Sequence, residues 1–416
     1  MLNKLKTYCK PKDVNVEDYR FNLDAVSRCI SGKERRKDFR DMVVSTGVIS
    51  KNKLNKELDN GEFNKRVEAW EEVAKILTQR IIDRDLKLPD TLVEFERSDN
   101  LSGKVRKLTR ESPEQQCYEY ICVNALMPLF NAKILPCQYG SIPNRGQVVG
   151  ARQIERIVRR KFRGNIDCVK CDVRHAYNST SVELIMSLLN RDIGKNKILL
   201  WLLGAVMANF PNGRLIIGGY LSTWLFNYIM SYFLRYLLSI VKVRRGIRNR
   251  VVKAIVCYAD DFVMFGKIKA LLSLTEKASK WIQQTFGLQI KQGWQVIRLS
   301  SFEEERQSNK DRQAFNIYTR SQGIDMMGYV VRRRYTIIRK RIYKRVRRYL
   351  IRANNELKKY RYVPWWRAQQ LMSYKGFIKH TCSRLLKRKL NVEKIFRAAS
   401  KSLSYCLGAK KDEVYA

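Results

Sequence analysis

Apolar and polar positions along this chain change period several times, and each change marks an expected element. Over 64–77, Val67, Trp70, Val73, Ala74 and Leu77 recur at helical spacing and predict an amphipathic helix with those residues on one face. The pattern from Met1 to about Arg97 is mostly helical and highly charged, so a helical N-terminal extension is expected there. Ile166-Asp167-Cys168-Val169-Lys170-Cys171 alternates instead and predicts a strand with Asp172 at its end. Val251 to Cys257 and Phe262 to Phe265 are short apolar runs on either side of Tyr258-Ala259-Asp260-Asp261. They read as two strands joined by a turn that presents adjacent carboxylates.

Two further stretches are defined by what they lack. Leu215 to Leu234 carries no charge between Arg214 and Arg235 and is long enough to raise a membrane span. Gly218, Gly219, Ser222, Thr223, Asn227 and Ser231 interrupt it, which favours a buried helix over a lipid-facing one. Ser301 to Ser321, with Glu303-Glu304-Glu305 and few apolar residues, is expected to be an exposed insertion.

The carboxylates bring in chemistry. Asp260 and Asp261 at a hairpin tip repel each other unless a cation sits between them. With Asp172 carried in from a neighbouring strand, three carboxylates on two strands suit a two-metal Mg²⁺ site. Such a site activates a 3′-hydroxyl and stabilises a leaving pyrophosphate.

Charge identifies the partner class. Lys and Arg number 82 against 39 Asp and Glu, a formal net charge of +43. A chain that basic is most simply a polyanion binder. The cations are spread along the chain instead of forming one juxtamembrane cluster, so no membrane partner is expected. They are densest after residue 331, where Arg332-Arg333-Arg334, Arg339-Lys340-Arg341, Lys344-Arg345 and Arg347-Arg348 alternate with aromatic and aliphatic residues. This predicts a strand turning into an amphipathic helix, with Arg339, Arg341, Arg345 and Arg348 on a face able to follow a phosphate backbone. Cys168-Val169-Lys170-Cys171 has metal-ligand spacing, but no second such pair accompanies it and the chain has only His175 and His380. The ten cysteines are therefore expected to be buried free thiols of a reducing cytoplasm. Met1-Leu2-Asn3-Lys4-Leu5-Lys6 leads into no apolar segment, so no secretory leader is expected.

Several strings carry a family resemblance. Besides Tyr258-Ala259-Asp260-Asp261, they are Asp172 with Tyr177 five residues on, Gly218-Gly219-Tyr220-Leu221-Ser222 with Asn227, Phe286-Gly287-Leu288-Gln289-Ile290-Lys291, and Gly323-Ile324-Asp325-Met326-Met327-Gly328-Tyr329. Upstream stand Gly103-Lys104-Val105-Arg106 and Tyr139-Gly140-Ser141-Ile142-Pro143-Asn144-Arg145-Gly146-Gln147. In order and spacing, from about residue 100 to 340, the chain resembles a bacterial stand-alone reverse transcriptase.

The resemblance implies an α+β right-hand polymerase: an N-terminal helical extension over 1–97, fingers over 98–162, a palm with the catalytic sheet over 163–331 and a basic helical thumb over 332–416. It assigns Asp172, Asp260 and Asp261 to the metals and Lys291 to proton delivery. Tyr177 becomes the steric gate against a 2′-hydroxyl, and Lys104, Arg106, Gly218 and Ser222 become contacts to the nucleotide or template. Arg145 joins the nucleic-acid-binding set. Implied partners are dNTPs, an RNA template and a cDNA product. After Gly328 a thumb is expected and no maturation, endonuclease or RNase H domain. The second palm block of diversity-generating polymerases usually has Gln after its serine, where this chain has Thr223. That departure points to the antiphage-defence enzymes, specifically the type that copies a structured partner non-coding RNA. The alternatives are a diversity-generating polymerase, a template-independent DNA polymerase and a catalytically idle RNA-binding protein on the same fold.

Overall fold

A computed structural model describes residues 7–90, 92–98, 105–161, 166–299 and 323–412, the side chains of 384, 385 and 406–412 excepted. Lys104 and the expected insertion over 301–321 lie outside the described residues. The fold is mixed α and β, and the chain divides into two compact units that do not follow its linear order. One comprises Met1–Leu135, Arg174–Leu234 and Trp281–Gln289; the other comprises Pro136–Val173, Arg235–Lys280 and Ile290–Ala416. Among the described residues, no helix is long and apolar enough to cross a membrane.

The first unit is built on helices. The helix expected over 64–77 runs from Lys65 to Ile82 and buries Ala69, Trp70, Val73, Ala74 and Leu77. Val67 was expected on that face and is 42% exposed; Arg66 is buried in its place. The guanidinium is accommodated because it lies over Phe63 and Trp70 and pairs with buried Glu34 at 3.7 Å. The helix Pro113–Lys133 opens with a Ser112 cap and Pro113 in its first turn, and packs on Tyr19–Ile30. The charge-free stretch forms the helix Tyr220–Ser239, buried along most of its length. Two strands, β1 (Val93–Ser98) and β2 (Val105–Arg110), make an exposed antiparallel hairpin.

In the second unit β3 (Ile166–Arg174) is the central strand. Before the Ala259-Asp260 turn comes a ribbon of β4 (Val241–Arg244) and β5 (Ile247–Arg250), and the turn itself joins β6 (Ala254–Tyr258) to β7 (Asp261–Gly266). The sheet runs β6–β7–β3, and β8 (Gln289–Ile290) and β9 (Gln295–Leu299) share the far edge of β3. The string Gly323 to Tyr329 supplies β10 (Ile324–Met326) and leads into β11 (Tyr329–Val331), and β12 (Thr336–Ile338) completes that small sheet. Four helices follow: Lys340–Tyr360, Trp365–Lys379, Arg384–Lys389 and Val392–Asp412.

Residue alternation gives the main sheet a face that changes character along its length. Ile166 and Cys168 of β3, Val263 and Phe265 of β7, Val256 of β6 and Ile297 and Leu299 of β9 all enter one core, which continues into Ile342, Val346 and Leu350 of the helix Lys340–Tyr360. Continuing the period of two along the same face leads to Lys170 and Asp172 on β3 and to Asp261 on β7. The sheet is thus apolar at one end of this face and charged at the other. On its opposite face Cys171 packs toward Thr275 of the helix Ile268–Phe286. The described cysteines are free thiols, most of them buried, with burial holding them protonated at positions such as 168, 171 and 257.

Candidate active site

Register brings the carboxylates together. Asp172 and Asp261 are direct cross-strand partners in the antiparallel β3–β7 pair, and Asp260 occupies the two-residue turn before β7. Asp172 lies inside the strand and not at its end, because β3 continues to Arg174. The Val173 N–H donates to the Asp260 carbonyl at 3.1 Å, which fixes the turn against β3. Like charges directly opposite one another destabilise a sheet, so this pairing is a cost that packing alone does not explain.

The turn is held from behind by a feature the sequence did not announce. Ala259 has φ +53, an unusual conformation for a residue with a Cβ. Residues 137–139 run beside β6, with Cys257 N–H donating to Cys137 O at 2.8 Å and Tyr139 N–H to Cys257 O at 2.9 Å. That brings Gly140 so close that a Cβ on it would lie 2.5 Å from the Ala259 nitrogen. Only glycine fits, and the string Tyr139 to Gln147 thereby abuts the Ala259-Asp260 turn.

Two lysines temper the negative charge. The Lys291 ammonium stands 2.5 Å from Asp172 Oδ1, and its backbone N–H donates to the Asp172 carbonyl at 2.8 Å. Lys170 Nζ lies 3.7 Å from Asp261 Oδ1, the diagonal approach expected of residues two apart on one face of β3. Lys170 was missed in the sequence, although its spacing from Asp172 was the available signal. Burial, with Asp261 and Asp172 adding repulsion, pushes Asp260 up to about 6. Burial also raises Asp261, against the pull of Lys170. Oxygen donors in this number suit a hard divalent cation, and their mutual repulsion is what such a cation relieves. Among the described residues, however, no three acidic, cysteine or histidine side chains stand in an arrangement ready to hold a metal, and the lysines now take the role of counter-ion.

Other residues of the second unit have mixed positions. Arg145 is half-buried and donates to the Gln138 carbonyl at 3.1 Å, bracing its own loop. Arg339 pairs with Asp325 at 2.6 Å and caps the helix Lys340–Tyr360 without entering it. Arg341 and Arg348 are exposed and Arg345 half-buried on that helix, one turn apart and beside the buried stripe Ile342, Val346, Leu350 and Ala353.

The remaining predicted residues belong to the first unit. Arg106 is exposed on β2 and directly opposite Arg97, a pairing of like charges that an anion would relieve. Tyr177 is half-buried against Phe226, with ring centroids 5.1 Å apart. Gly218 is exposed at φ +106, where no Cβ would meet a neighbour, so its conformation and not close approach calls for glycine. Their chain neighbours Lys107, Asn178 and Ile217 line a cleft of about 200 Å³ with Glu94, Arg214 and others. Ser222 departs from expectation. It is fully buried and its hydroxyl accepts the Ile216 N–H at 3.2 Å, so it supports the glycine loop and does not face solvent.

No family model and no curated protein matches the chain. Similar solved structures include apo telomerase from Candida tropicalis truncated from its C-terminal domain, at 11% identity and a TM-score of 0.39 over 60% of this chain and 54% of that one. Apo telomerase from the same organism aligns at 10% identity and a TM-score of 0.38 over 74% of this chain and 66% of that one. The chain thus spans less than two thirds of either telomerase chain.

Proposed function

We propose that this chain is a reverse transcriptase, an RNA-directed DNA polymerase that copies a structured partner RNA into cDNA. The observation that carries the reading is the direct cross-strand pairing of Asp172 with Asp261, beside Asp260, on the charged end of an otherwise apolar sheet face. A protein that merely bound RNA would gain nothing from gathering three carboxylates where a polyanion must lie. Bound Mg²⁺ would activate the primer 3′-hydroxyl and neutralise the charge of the leaving pyrophosphate. In that reaction Asp172, Asp260 and Asp261 would hold the cations, and Lys291 would give a proton to pyrophosphate. Tyr177 excludes a 2′-hydroxyl from the incoming sugar, while Arg106 meets phosphate. The order of the sequence blocks and the net charge of +43 support the same reading. The position of Thr223 favours a role in antiphage defence over diversification.

The test is incorporation of dNTPs on a primed RNA template. Asp260→Ala with Asp261→Ala should abolish extension while circular dichroism and RNA binding persist, because the turn contributes little to the core. Extension at near wild-type rate by the double variant would remove the catalytic assignment. For the defence role, the gene with its flanking DNA should lower phage plating and lose that effect with the same substitutions. A template repeat beside a target gene carrying adenine-directed changes would instead identify a diversity-generating enzyme.

A further inference from the structure

The ribbon β4–β5 takes no part in the site described above. Residues 241–250 read Val-Lys-Val-Arg-Arg-Gly-Ile-Arg-Asn-Arg, contain five cations and no acid, and are all exposed. Arg245 and Gly246 form the tip, both at positive φ, 50° and 76°, as a tight two-residue hairpin turn requires. At the base the Val251 N–H donates to the Ile240 carbonyl at 3.1 Å, so the ribbon leaves the fold between two joined residues just before β6. Among the described residues none of the five cations pairs with a carboxylate.

An isolated two-stranded ribbon is marginally stable in water, and Val241, Val243 and Ile247 are 44%, 61% and 65% exposed on this one. The distribution of charge says what covers it. Cross-strand partners share a face, so Arg248 and Arg250 lie with Val241 and Val243, while Lys242 and Arg244 lie with Ile247 and Asn249. Cations therefore stand on both faces and, with Arg245, at the tip. A ribbon laid flat on an anionic lipid surface would use one face only. A ribbon inserted into a duplex groove meets a phosphate backbone on each side, and a B-form major groove about 12 Å wide admits a two-stranded ribbon.

We propose that β4–β5 is a second nucleic-acid contact, a ribbon that enters the groove of a duplex and clasps its two phosphate backbones. Four of its five cations are arginines, which make paired hydrogen bonds to phosphate, and its valines and isoleucine cover sugar and base edges. Binding is a property separate from polymerisation, so it is measured without dNTPs or metal, and failure of the polymerase reading leaves this one to stand or fall on its own.

The experiment is fluorescence anisotropy of the full chain with labelled duplex DNA, an RNA–DNA hybrid and single-stranded DNA across a salt series. One variant replaces Lys242, Arg244, Arg245, Arg248 and Arg250 with Gln; a second joins Ile240 to Val251 through a short Gly-Ser link in place of 241–250. Each phosphate contact contributes about 0.9 to the slope of log K against log salt. Both variants should lower the duplex slope by about 2 or more and weaken duplex affinity at least about tenfold near 0.15 M salt, with thermal unfolding unchanged. Single-strand binding should fall less. Unchanged duplex slopes in both variants would overturn the proposal. So would wild-type binding to vesicles containing anionic lipid that the variants lose while their duplex binding stays intact.

Discussion

Two groups of carboxylates in this protein are treated in opposite ways. In the first unit, Glu119 is fully buried in the helix Pro113–Lys133 and its Oε2 accepts the Leu221 N–H at 2.9 Å, at the start of the helix Tyr220–Ser239. Glu111 is also buried; desolvation and the neighbouring charge of Glu119 push Glu111 far above the usual carboxylate range. Burial favours the protonated form of Glu111, and the pair serves as structure. In the second unit, Asp172, Asp260 and Asp261 are only half-buried and are countered by Lys170 and Lys291. A buried pair that keeps its proton is closed to cations. Half-open carboxylates whose counter-ions are lysine side chains can exchange those ammonium groups for another cation, and that difference separates a support from a site.

The comparison breaks most readily at Glu119. Replacing it with Ala leaves the Leu221 N–H and Glu111 without their partner in the interior, and should cost about 2–3 kcal/mol in urea unfolding. Glu111→Gln keeps a donor toward Glu119 and should stay within about 1 kcal/mol of wild type. If Glu119→Ala were as stable as wild type, the first-unit pair would not be structural and the contrast would collapse.

A smaller, pH-dependent effect belongs to Asp260. Its folded value of about 6 lies above the ordinary 3.8, so between those values the folded state binds more protons than the unfolded one. Its contribution to stability is therefore full below 3.8 and is lost as pH rises through about 6. In a metal-free buffer with chelator, Asp260→Asn should melt at a higher temperature than wild type at pH 7.5, the gap closing toward pH 4. Parallel melting curves for the two proteins across that range would show that the turn carries no repulsion for a cation to relieve.

How much of this was legible depended on whether the cause was local. Asp172, Asp260 and Asp261 stood out because a period of two and a turn between apolar runs are local patterns, and register then follows from strand pairing. Lys170 was equally local and was passed over because its acidic partner comes from another strand. Gly140 and Ser222 take their roles from approaches made in three dimensions, to Ala259 and Ile216, which no window of sequence displays. Arg66 replaced Val67 in the core because Phe63, Trp70 and Glu34 converge on it. The two compact units are each assembled from separate stretches of chain, which no linear reading displays, since strands distant in sequence share sheets.

The finest test of the contrast is Lys291. Its ion pair with Asp172 is short, yet the side chains are 46% and 33% exposed, and pairs at that exposure contribute at most about 1 kcal/mol. Lys291→Gln should therefore change unfolding free energy by less than about 1 kcal/mol, unlike loss of Glu119. The same variant should slow nucleotide addition and leave template–primer affinity alone, because what it removes is a proton source and not a phosphate anchor. Lys291→Arg keeps the charge beside Asp172 but holds its proton too tightly to give it away, so it should restore stability without restoring rate. A large loss of stability in Lys291→Gln would make this lysine a fixed support like Leu221's partner, and Asp172 would then not be open to exchange its counter-ion.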